Sequence, residues 1–191
     1  MTTHPPGINF HEYVDEKLLE TGYKITAITE EIMNRRLDDF MNFVNHIRSK
    51  NSEIYNWRVE SKDYFLNRLV DKWKYSFAIM DLNDNICFVN FSSVYGDIIH
   101  NHFTYSGSKY RNLGFAKLHM IKLCQTGLDS GFSWQEGYWP VINNRSIILF
   151  LKMGWQIDKV IEEKGYLMMR ANLENVRDKT FNLLNSSNSK K

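Results

Sequence analysis

The chain has 191 residues, of which 43% are hydrophobic and 24% are charged, and its formal net charge is +2. This length suits one domain of ordinary size with a real core, and the composition is typical of a soluble globular protein. Because basic and acidic residues are nearly balanced, the chain has no strong field for nucleic acid or for an anionic membrane. We expect neither as a partner.

The first residues, MTTHPPG, have neither the basic nor the apolar run of a secretory leader, and no stretch is long enough to span a bilayer. We therefore expect a cytoplasmic protein. The two cysteines, Cys87 and Cys124, lie in apolar patterns without a Cys-x-x-Cys motif or histidines at metal spacing. This pattern predicts buried thiols and neither a metal site nor a disulfide.

The first predicted helix follows a Pro-Pro-Gly break. It begins at Asn9-Phe-His-Glu12, which is typical of a capping box, and it ends near Gly22. Residues 1–22 form an extension that could serve as a lid, as a homodimer contact or as simple packing. Residues 23–29 then alternate as in a strand.

Thr29-Glu30-Glu31 predicts the capped, acidic start of a long helix. Its apolar residues recur at spacings of four and three, as on one buried stripe. They are Met33, Leu37, Phe40, Val44 and Ile47. After a polar stretch over residues 49–60, we predict a second helix from about Ser61 to Trp73. Its inward residues would be Phe65, Leu69, Val70 and Trp73.

The period then changes to the alternation of strands. Strands are predicted at residues 75–82, 86–94 and 98–105. A polar loop leads into an apolar helix over residues 115–128. The remaining elements are a strand at 132–141, a short helix at 143–153 and two strands at 155–161 and 166–171. From about residue 172 the chain is polar, and we expect a frayed tail.

The loop over residues 106–114, SGSKYRNLG, joins a strand to the start of a helix and points most directly to a ligand. The first turn of a helix has N–H groups without intrahelical partners and a partial positive charge. Gly114 lacks the Cβ that would hold a phosphate away, and Arg111 adds a bidentate donor. An ordinary strand-to-helix turn is the alternative to this predicted anion site.

The spacing Arg111-x-x-Gly114-x-Ala116 resembles the pyrophosphate-binding signature of the GNAT acyltransferase superfamily, Gln/Arg-x-x-Gly-x-Gly/Ala. A second stretch, residues 143–155, resembles the family's Asn-x-x-Ala-x-x-x-Tyr-x-x-x-Gly-Phe. Its matching positions are Asn143, Ser146, Phe150, Gly154 and Trp155. The order of a strand, two helices, three strands, a helix, a strand, a helix and two strands is also similar to that of the family.

The resemblance implies an α+β fold, the GNAT fold. In it a central, mostly antiparallel, twisted sheet of about seven strands splays between the fourth and fifth strands and is flanked by helices. It covers about residues 23–171, which would form the acyltransferase domain. The extension at residues 1–22 and the polar tail at residues 172–191 fall outside it.

The implied activity is N-acyl transfer, most simply of an acetyl group, from acetyl-CoA or another acyl-CoA to the amine of a small molecule. The pyrophosphate would bind the Arg111 side chain and the backbone of Asn112, Leu113, Gly114, Phe115 and Ala116. The pantetheine arm would run beside Phe103, Thr104, Tyr105 and Ser106 and contact Asn143. Asn143 also fits the N-cap of its own helix. The second motif adds Ser146 and Phe150 to the cofactor-binding residues.

An alkyl ammonium has a reference pKa of about 10.4, so a group near the thioester must take a proton. His100 and His102 share one face of the strand that leads into the loop, and histidine suits proton transfer near neutral pH. Glu136 on the following strand is comparable, because many family members relay the proton to a carboxylate there. Asp97 is a further candidate, and the base stays open among these residues.

Where the family commonly has a tyrosine that protonates the leaving thiolate, this chain has Phe150. Tyr105, Tyr138 or water could protonate the sulfur instead, or the thiolate could leave unprotonated. The substitution also permits another class of function, a non-catalytic acyl-CoA sensor or partner-binding module. Lys109 and Arg111 suggest a third, in which a carrier-protein thioester is the donor.

Aromatic residues cluster around the predicted fifth strand. Alternation places Trp134, Glu136 and Tyr138 on one face of this strand and Gln135 and Trp139 on the other. Most of these aromatic rings should belong to the core. Any that line the cleft would suit a flat or apolar acceptor, or an acyl group longer than acetyl.

Overall fold

A computed structural model of the chain describes residues 7–54, 61–67 and 72–188. The helices are α1 (Phe10–Leu19), α2 (Glu30–Lys50), α3 (Lys62–Leu66), α4 (Phe115–Asp129), α5 (Asn144–Lys152) and α6 (Leu173–Asn188). The strands are β1 (Tyr23–Ala27), β2 (Phe77–Asp81), β3 (Ile86–Tyr95), β4 (Ile98–Ser106), β5 (Trp134–Pro140), β6 (Gln156–Ile161) and β7 (Tyr166–Asn172). From β1 to β7 the elements follow the predicted order.

The strands form one seven-stranded sheet in the order β1-β2-β3-β4-β5-β7-β6. Neighbours are antiparallel except β4 and β5, which run parallel. The last paired position of β4 and β5 is Asn101 opposite Gly137. Because β4 continues to Ser106 and β5 to Pro140, the two strands separate beyond this point. The predicted splay between the fourth and fifth strands is confirmed.

A β-bulge lies where the strands separate. The register of β4 against β3 shifts between Asn101 and Phe103, so His102 has no partner in β3. Such a bulge bends a strand and increases its twist. On β5, a Cβ added to Gly137 would lie 2.9 Å from the Asn101 carbonyl oxygen, so the close approach of the two backbones requires glycine there. The bulge and the glycine together define the start of the gap.

Helices pack on both faces of the sheet. On one face α2 and α3 cover β2, β3 and β4, and the stripe predicted for α2 is buried there. On the other face lie α1, α4, α5 and α6. In α1, the side chains of Phe10, Val14 and Leu18 belong to a core cluster shared with α4 and α6. The described part of the N-terminal extension therefore packs against the rest of the domain. None of the helices in the described ranges is long and apolar enough to cross a membrane.

The second predicted helix is shorter than predicted. α3 ends at Leu66, and Asn67 already has extended backbone angles, so the prediction of a helix to Trp73 is wrong. The Trp73 indole N–H donates to the Phe65 carbonyl at 2.9 Å, whereas a continuous helix would hold these residues more than two turns apart. Both are buried, as expected. The other inward positions, Leu69 and Val70, lie outside the described residues.

The prediction of a frayed tail from residue 172 is also wrong. α6 places Leu173, Val176 and Phe181 in the core, and the Phe181 ring lies 5.5 Å from that of Phe10. The apolar residues of α6 were not recognised as one buried face of a helix, because polar residues separate them in the sequence. Arg177 is one of these polar residues, and it is buried with its guanidinium 4.5 Å over the Phe10 ring. Residues 189–191 lie outside the described chain.

Replacing Phe181 with alanine tests the role of α6. The variant should lose about 3 kcal/mol of unfolding free energy, because the cavity lies between α6 and α1 in the core. Urea denaturation measures this loss. Lys179→Ala, an exposed change in the same helix, is the matched control and should stay within about 0.5 kcal/mol of the parent. Equal stability of the two variants would contradict the packing described for α6.

His119 of α4 is a fully buried histidine whose ring lies 4.6 Å from that of Phe88. Burial lowers the pKa of His119 to about 3 from its ordinary value of 6.5. Between these pH values the unfolded chain binds a proton at this residue and the folded chain does not. The free energy of unfolding therefore falls as the pH falls from 6.5 toward 3.

His119→Phe removes this titration and keeps a ring against Phe88. Between pH 6.5 and 4 the parent should lose about 3 kcal/mol more unfolding free energy than the variant. Urea denaturation at a series of pH values measures both slopes. Parallel slopes for the two proteins would show that His119 is accessible to protons in the folded state.

Candidate functional site

The loop between β4 and α4 has the backbone of an anion site. After one helical turn at Ser108–Tyr110, Asn112 and Gly114 adopt positive φ angles of 69° and 83°. The Gly114 carbonyl accepts the first intrahelical bonds of α4, at 2.9 and 3.0 Å. The amides of Phe115 and Ala116 precede these bonds and have no acceptor within the helix. They lie at the positive end of the helix dipole.

A cavity of about 590 Å³ opens in front of this loop. One wall is formed by the loop and the start of α4, and the other by α5. Most of the predicted cofactor-binding residues line it, namely Thr104, Tyr105, Ser106, Arg111, Asn112, Gly114, Phe115, Ala116, Asn143, Ser146 and Phe150. Leu113 is different, because its side chain is 47% exposed and lines neither this cavity nor the smaller one in the gap.

Cationic side chains surround the large cavity. Arg111 and Lys117 lie on the loop side, and Arg145 and Lys152 lie on α5. The Arg145 guanidinium donates to the Asn112 side-chain oxygen at 3.0 Å, which joins the two walls. Sequence analysis missed Arg145. Its position in the first turn of α5 could have indicated a binding role, because a cation there interacts unfavourably with the helix dipole.

A second cavity, of about 40 Å³, lies in the gap between β4 and β5. It shares Thr104, Tyr105, Asn143 and Ser146 with the large cavity, so the two cavities are adjacent. Phe103 lines it on β4, and Tyr138 lines it on β5. Its size suits a group of a few heavy atoms. The Asn143 side chain accepts a hydrogen bond from the Ser146 amide at 3.4 Å, as expected of a helix N-cap. Asn143 also lines both cavities.

A buried amide network holds β4 at the gap. The Asn90 side chain on β3 donates to the Asn101 side-chain oxygen at 3.0 Å and to the Thr104 hydroxyl at 3.1 Å. On the opposite face of β4, the Arg48 Nε donates to the Tyr105 hydroxyl at 3.2 Å. Arg48 lies at the end of α2 and lines the small cavity. No local pattern in the sequence indicated this position.

The candidate proton-transfer residues lie together at one mouth of the gap. His100 and Glu136 are opposite each other on β4 and β5, and the Nδ1 of His100 lies 3.2 Å from Glu136 Oε1. The His100 ring lies 4.9 Å from that of His102 and 5.6 Å from that of Tyr138. Asp97 is exposed in the turn before β4. The structure therefore brings four of the predicted residues into one cluster.

His102, the bulged residue, is fixed by hydrogen bonds on both ring nitrogens. Its Nε2 lies 2.6 Å from the Ser93 hydroxyl, and its Nδ1 lies 3.1 Å from the Tyr64 hydroxyl. Burial, with smaller contributions from the charges of His100 and Lys72, lowers the pKa of His102 to about 4. His102 is therefore neutral near pH 7, which makes it a hydrogen-bonding group and a weak base.

Phe150 is buried between two tryptophans. Its ring lies 4.8 Å from that of Trp139 and 5.3 Å from that of Trp155, and it is 2% exposed. The prediction that most aromatic rings here belong to the core is confirmed for Trp139, Phe150 and Trp155. Trp134 and Tyr138 are 41% and 42% exposed on the other face of β5, which confirms the predicted alternation. Tyr105 and Tyr138 supply the phenolic hydroxyl groups that line the gap.

No cluster of histidine, cysteine, aspartate or glutamate suited to a metal ion occurs in residues 7–54, 61–67 and 72–188. A scan against protein-family models found no match, and a search of curated proteins found no relative.

Solved structures do match this chain. The PaiA N-acetyltransferase of Thermoplasma acidophilum, in complex with coenzyme A, is 12% identical with a TM-score of 0.66, over 78% of this chain and 98% of that chain. A GNAT-family acetyltransferase of Streptococcus pneumoniae is 16% identical with a TM-score of 0.61, over 78% and 98%. The spermidine N-acetyltransferase of Vibrio cholerae, in complex with CoA and spermine, is 12% identical with a TM-score of 0.62, over 82% and 98%.

These matches span nearly the whole of each solved chain, and at such low identity they show the fold. The strand order, the parallel β4–β5 pair and its gap agree with the fold implied by the sequence. The chain has the GNAT fold, the fold of the GNAT-family acetyltransferases.

Proposed function

We propose that this protein is an acyl-CoA-dependent N-acyltransferase, most simply an N-acetyltransferase, that acts on the amine of a small molecule. One observation carries the proposal. Two adjacent cavities extend from the anion loop into the gap between β4 and β5, where His102 and Tyr138 line the small cavity and lie next to His100, the partner of Glu136. Such a path would bring a thioester anchored by its phosphates to a group that can take a proton from an amine.

The residues present fit coenzyme A. Arg111, Arg145 and the amides of Phe115 and Ala116 would hold phosphate oxygens at the mouth of α4. The edge of β4 that faces the gap would contact the pantetheine arm, because β5 leaves that edge unpaired after Asn101. The cofactor would supply an activated acyl group. Two of the matching structures contain CoA, which supports this choice of ligand.

We assign the proton acceptor to the His100–Glu136 pair, which lies beside His102 and Tyr138 of the small cavity. With the Glu136 carboxylate accepting from Nδ1–H, the Nε2 of His100 is left as the acceptor for a proton from the amine. The neutral amine nitrogen then bonds to the acyl carbon as the carbon–sulfur bond breaks. His102 is less suited, because its lowered pKa makes it a weak base. Tyr105 or Tyr138 would protonate the leaving sulfur in place of the family tyrosine.

A second function is favoured by Phe150, which puts a buried ring where a hydroxyl commonly serves. The protein would then bind acyl-CoA without transferring the acyl group. Calorimetry would show CoA binding, while free thiol stayed at background with every acyl donor and amine. Turnover of any amine excludes this alternative. A protein that neither binds CoA nor releases thiol would reject both functions.

Glu136→Gln tests the proposed base. Thiol release should fall by about 10² to 10⁴-fold, because the neutral amide does not stabilise the positive charge that His100 gains with the proton. The dissociation constant for CoA, measured by calorimetry, should stay the same. Glu163→Gln, in the exposed turn between β6 and β7, is the matched control and should keep full activity. Full activity of Glu136→Gln would assign the base elsewhere.

Arg145→Ala tests the second wall of the phosphate site. We expect CoA to bind about 10-fold more weakly, because one charge-assisted hydrogen bond is lost. Arg35→Ala on α2, whose side chain is 65% exposed, removes the same charge away from the cavity and should leave binding unchanged. Equal dissociation constants for both variants would remove α5 from the cofactor site.

A further inference from the structure

One row of side chains crosses four strands on the face of the sheet that α2 and α3 cover in part. His100 of β4 lies opposite Glu136 of β5, Glu136 lies opposite Arg170 of β7, and Arg170 lies opposite Gln156 of β6. Residues paired in this way point to the same face. The row therefore begins at the proposed base and continues away from the gap.

Arg170 lies in this row and has no acidic partner among the residues that the structure describes. Its guanidinium carbon lies 4.8 Å over the Trp134 ring. Its Nε is buried and has no hydrogen-bond partner in the described part of the chain. Glu136, the carboxylate directly opposite, is bonded to His100 instead. The guanidinium charge is thus not neutralised by Glu136, and an anion that met its terminal nitrogens would stabilise this arrangement.

In residues 7–54, 61–67 and 72–188, no helix belongs to a core cluster on the face of β5 and β7 that carries Arg170. The core cluster that contains α2 and α3 includes residues of β2, β3 and β4, and α4, α5 and α6 pack on the opposite face of β5 and β7. Trp134 and Tyr138, which flank Glu136 on β5, are more than a third exposed. A ligand can therefore reach Arg170 and the His100–Glu136 pair from the same side of the sheet.

We propose that the amine acceptor also has a carboxylate, which binds Arg170 while its amine faces His100 and Glu136. This inference rests on the proposed acyl transfer. Guanidinium binds carboxylate through two parallel hydrogen bonds, and the Trp134 ring holds the guanidinium in place. Adjacent strands lie about 4.8 Å apart, so Glu136 and Arg170 are within reach of the two charged groups of one amino acid.

The charges also fix the direction of binding. Glu136 attracts the ammonium group and repels a carboxylate, whereas Arg170 does the reverse. An amino acid would therefore present its nitrogen toward the gap. The acceptor class is amino acids and related amines with a carboxylate, and the product is the N-acyl amino acid.

Pairs of acceptors that differ only in the carboxylate provide the test. The panel is a set of L-amino acids and their carboxamides, which keep the amine and the side chain and lose the negative charge. The proteins are the parent, Arg170→Met, which keeps an apolar stem on Trp134, and Lys159→Met. Lys159 is exposed on β6, so its change removes the same charge outside the row. Thiol release gives kcat/KM, and calorimetry in the presence of CoA gives acceptor binding.

The parent and Lys159→Met should prefer the best amino acid over its carboxamide by about 10 to 100-fold. Arg170→Met should lose that preference, by a fall in kcat/KM for the acid, and keep its activity on carboxamides and its affinity for CoA. Equal preference in Arg170→Met and the parent, or a parent that prefers carboxamides, overturns the inference.

The binding measurement separates this inference from the proposed function. If no acceptor releases thiol, the transferase function fails. Binding of an amino acid that is lost in Arg170→Met but kept in Lys159→Met would still establish the carboxylate site. If carboxamides are acylated and amino acids neither react nor bind, the transferase function stands and the carboxylate site is wrong.

Discussion

The loss of pairing between β4 and β5 after Asn101 and Gly137 is the constraint on which the rest of the site depends. Before this point the two strands are hydrogen-bonded, which holds His100 against Glu136. Beyond it, β4 keeps β3 on one side and has an open edge on the other, which lines the cavity in the gap. The end of this strand pairing therefore gives the protein both a fixed pair of polar side chains and an opening beside them.

Charged groups line both cavities of the site. Cations and helix amides gather at its wide end, around Arg111 and Arg145. The narrow end is lined by Arg48, which donates to the Tyr105 hydroxyl, and by His102, which is neutral near pH 7 because burial holds its pKa near 4. The His100–Glu136 pair and Arg170 lie just outside. This arrangement would draw an anionic cofactor to one end and a dipolar acceptor to the other.

The sequence predicted what depends on local periodicity and on short motifs. It predicted the buried stripe of α2 and the two faces of β5, because each is a periodic pattern within one segment. It predicted the order of elements from β1 to β7, because the period changes from one segment to the next. It could not predict the bulge at His102, which is a register between two strands. It missed α6 because polar residues, among them the buried Arg177, separate its apolar ones. Arg48 lies on α2 and Arg145 on α5, and tertiary packing sets the position of both helices next to the cavities. Short motifs in the sequence do not contain this information.

Hydrogen exchange with and without coenzyme A tests most directly whether the open edge of β4 and the mouth of α4 form one cofactor site. The account predicts that binding slows exchange together at two separate segments, residues 103–106 of β4 and residues 112–116 of the loop. Protection at the loop alone would leave the gap without a role in binding. Binding that protects neither segment would contradict the account.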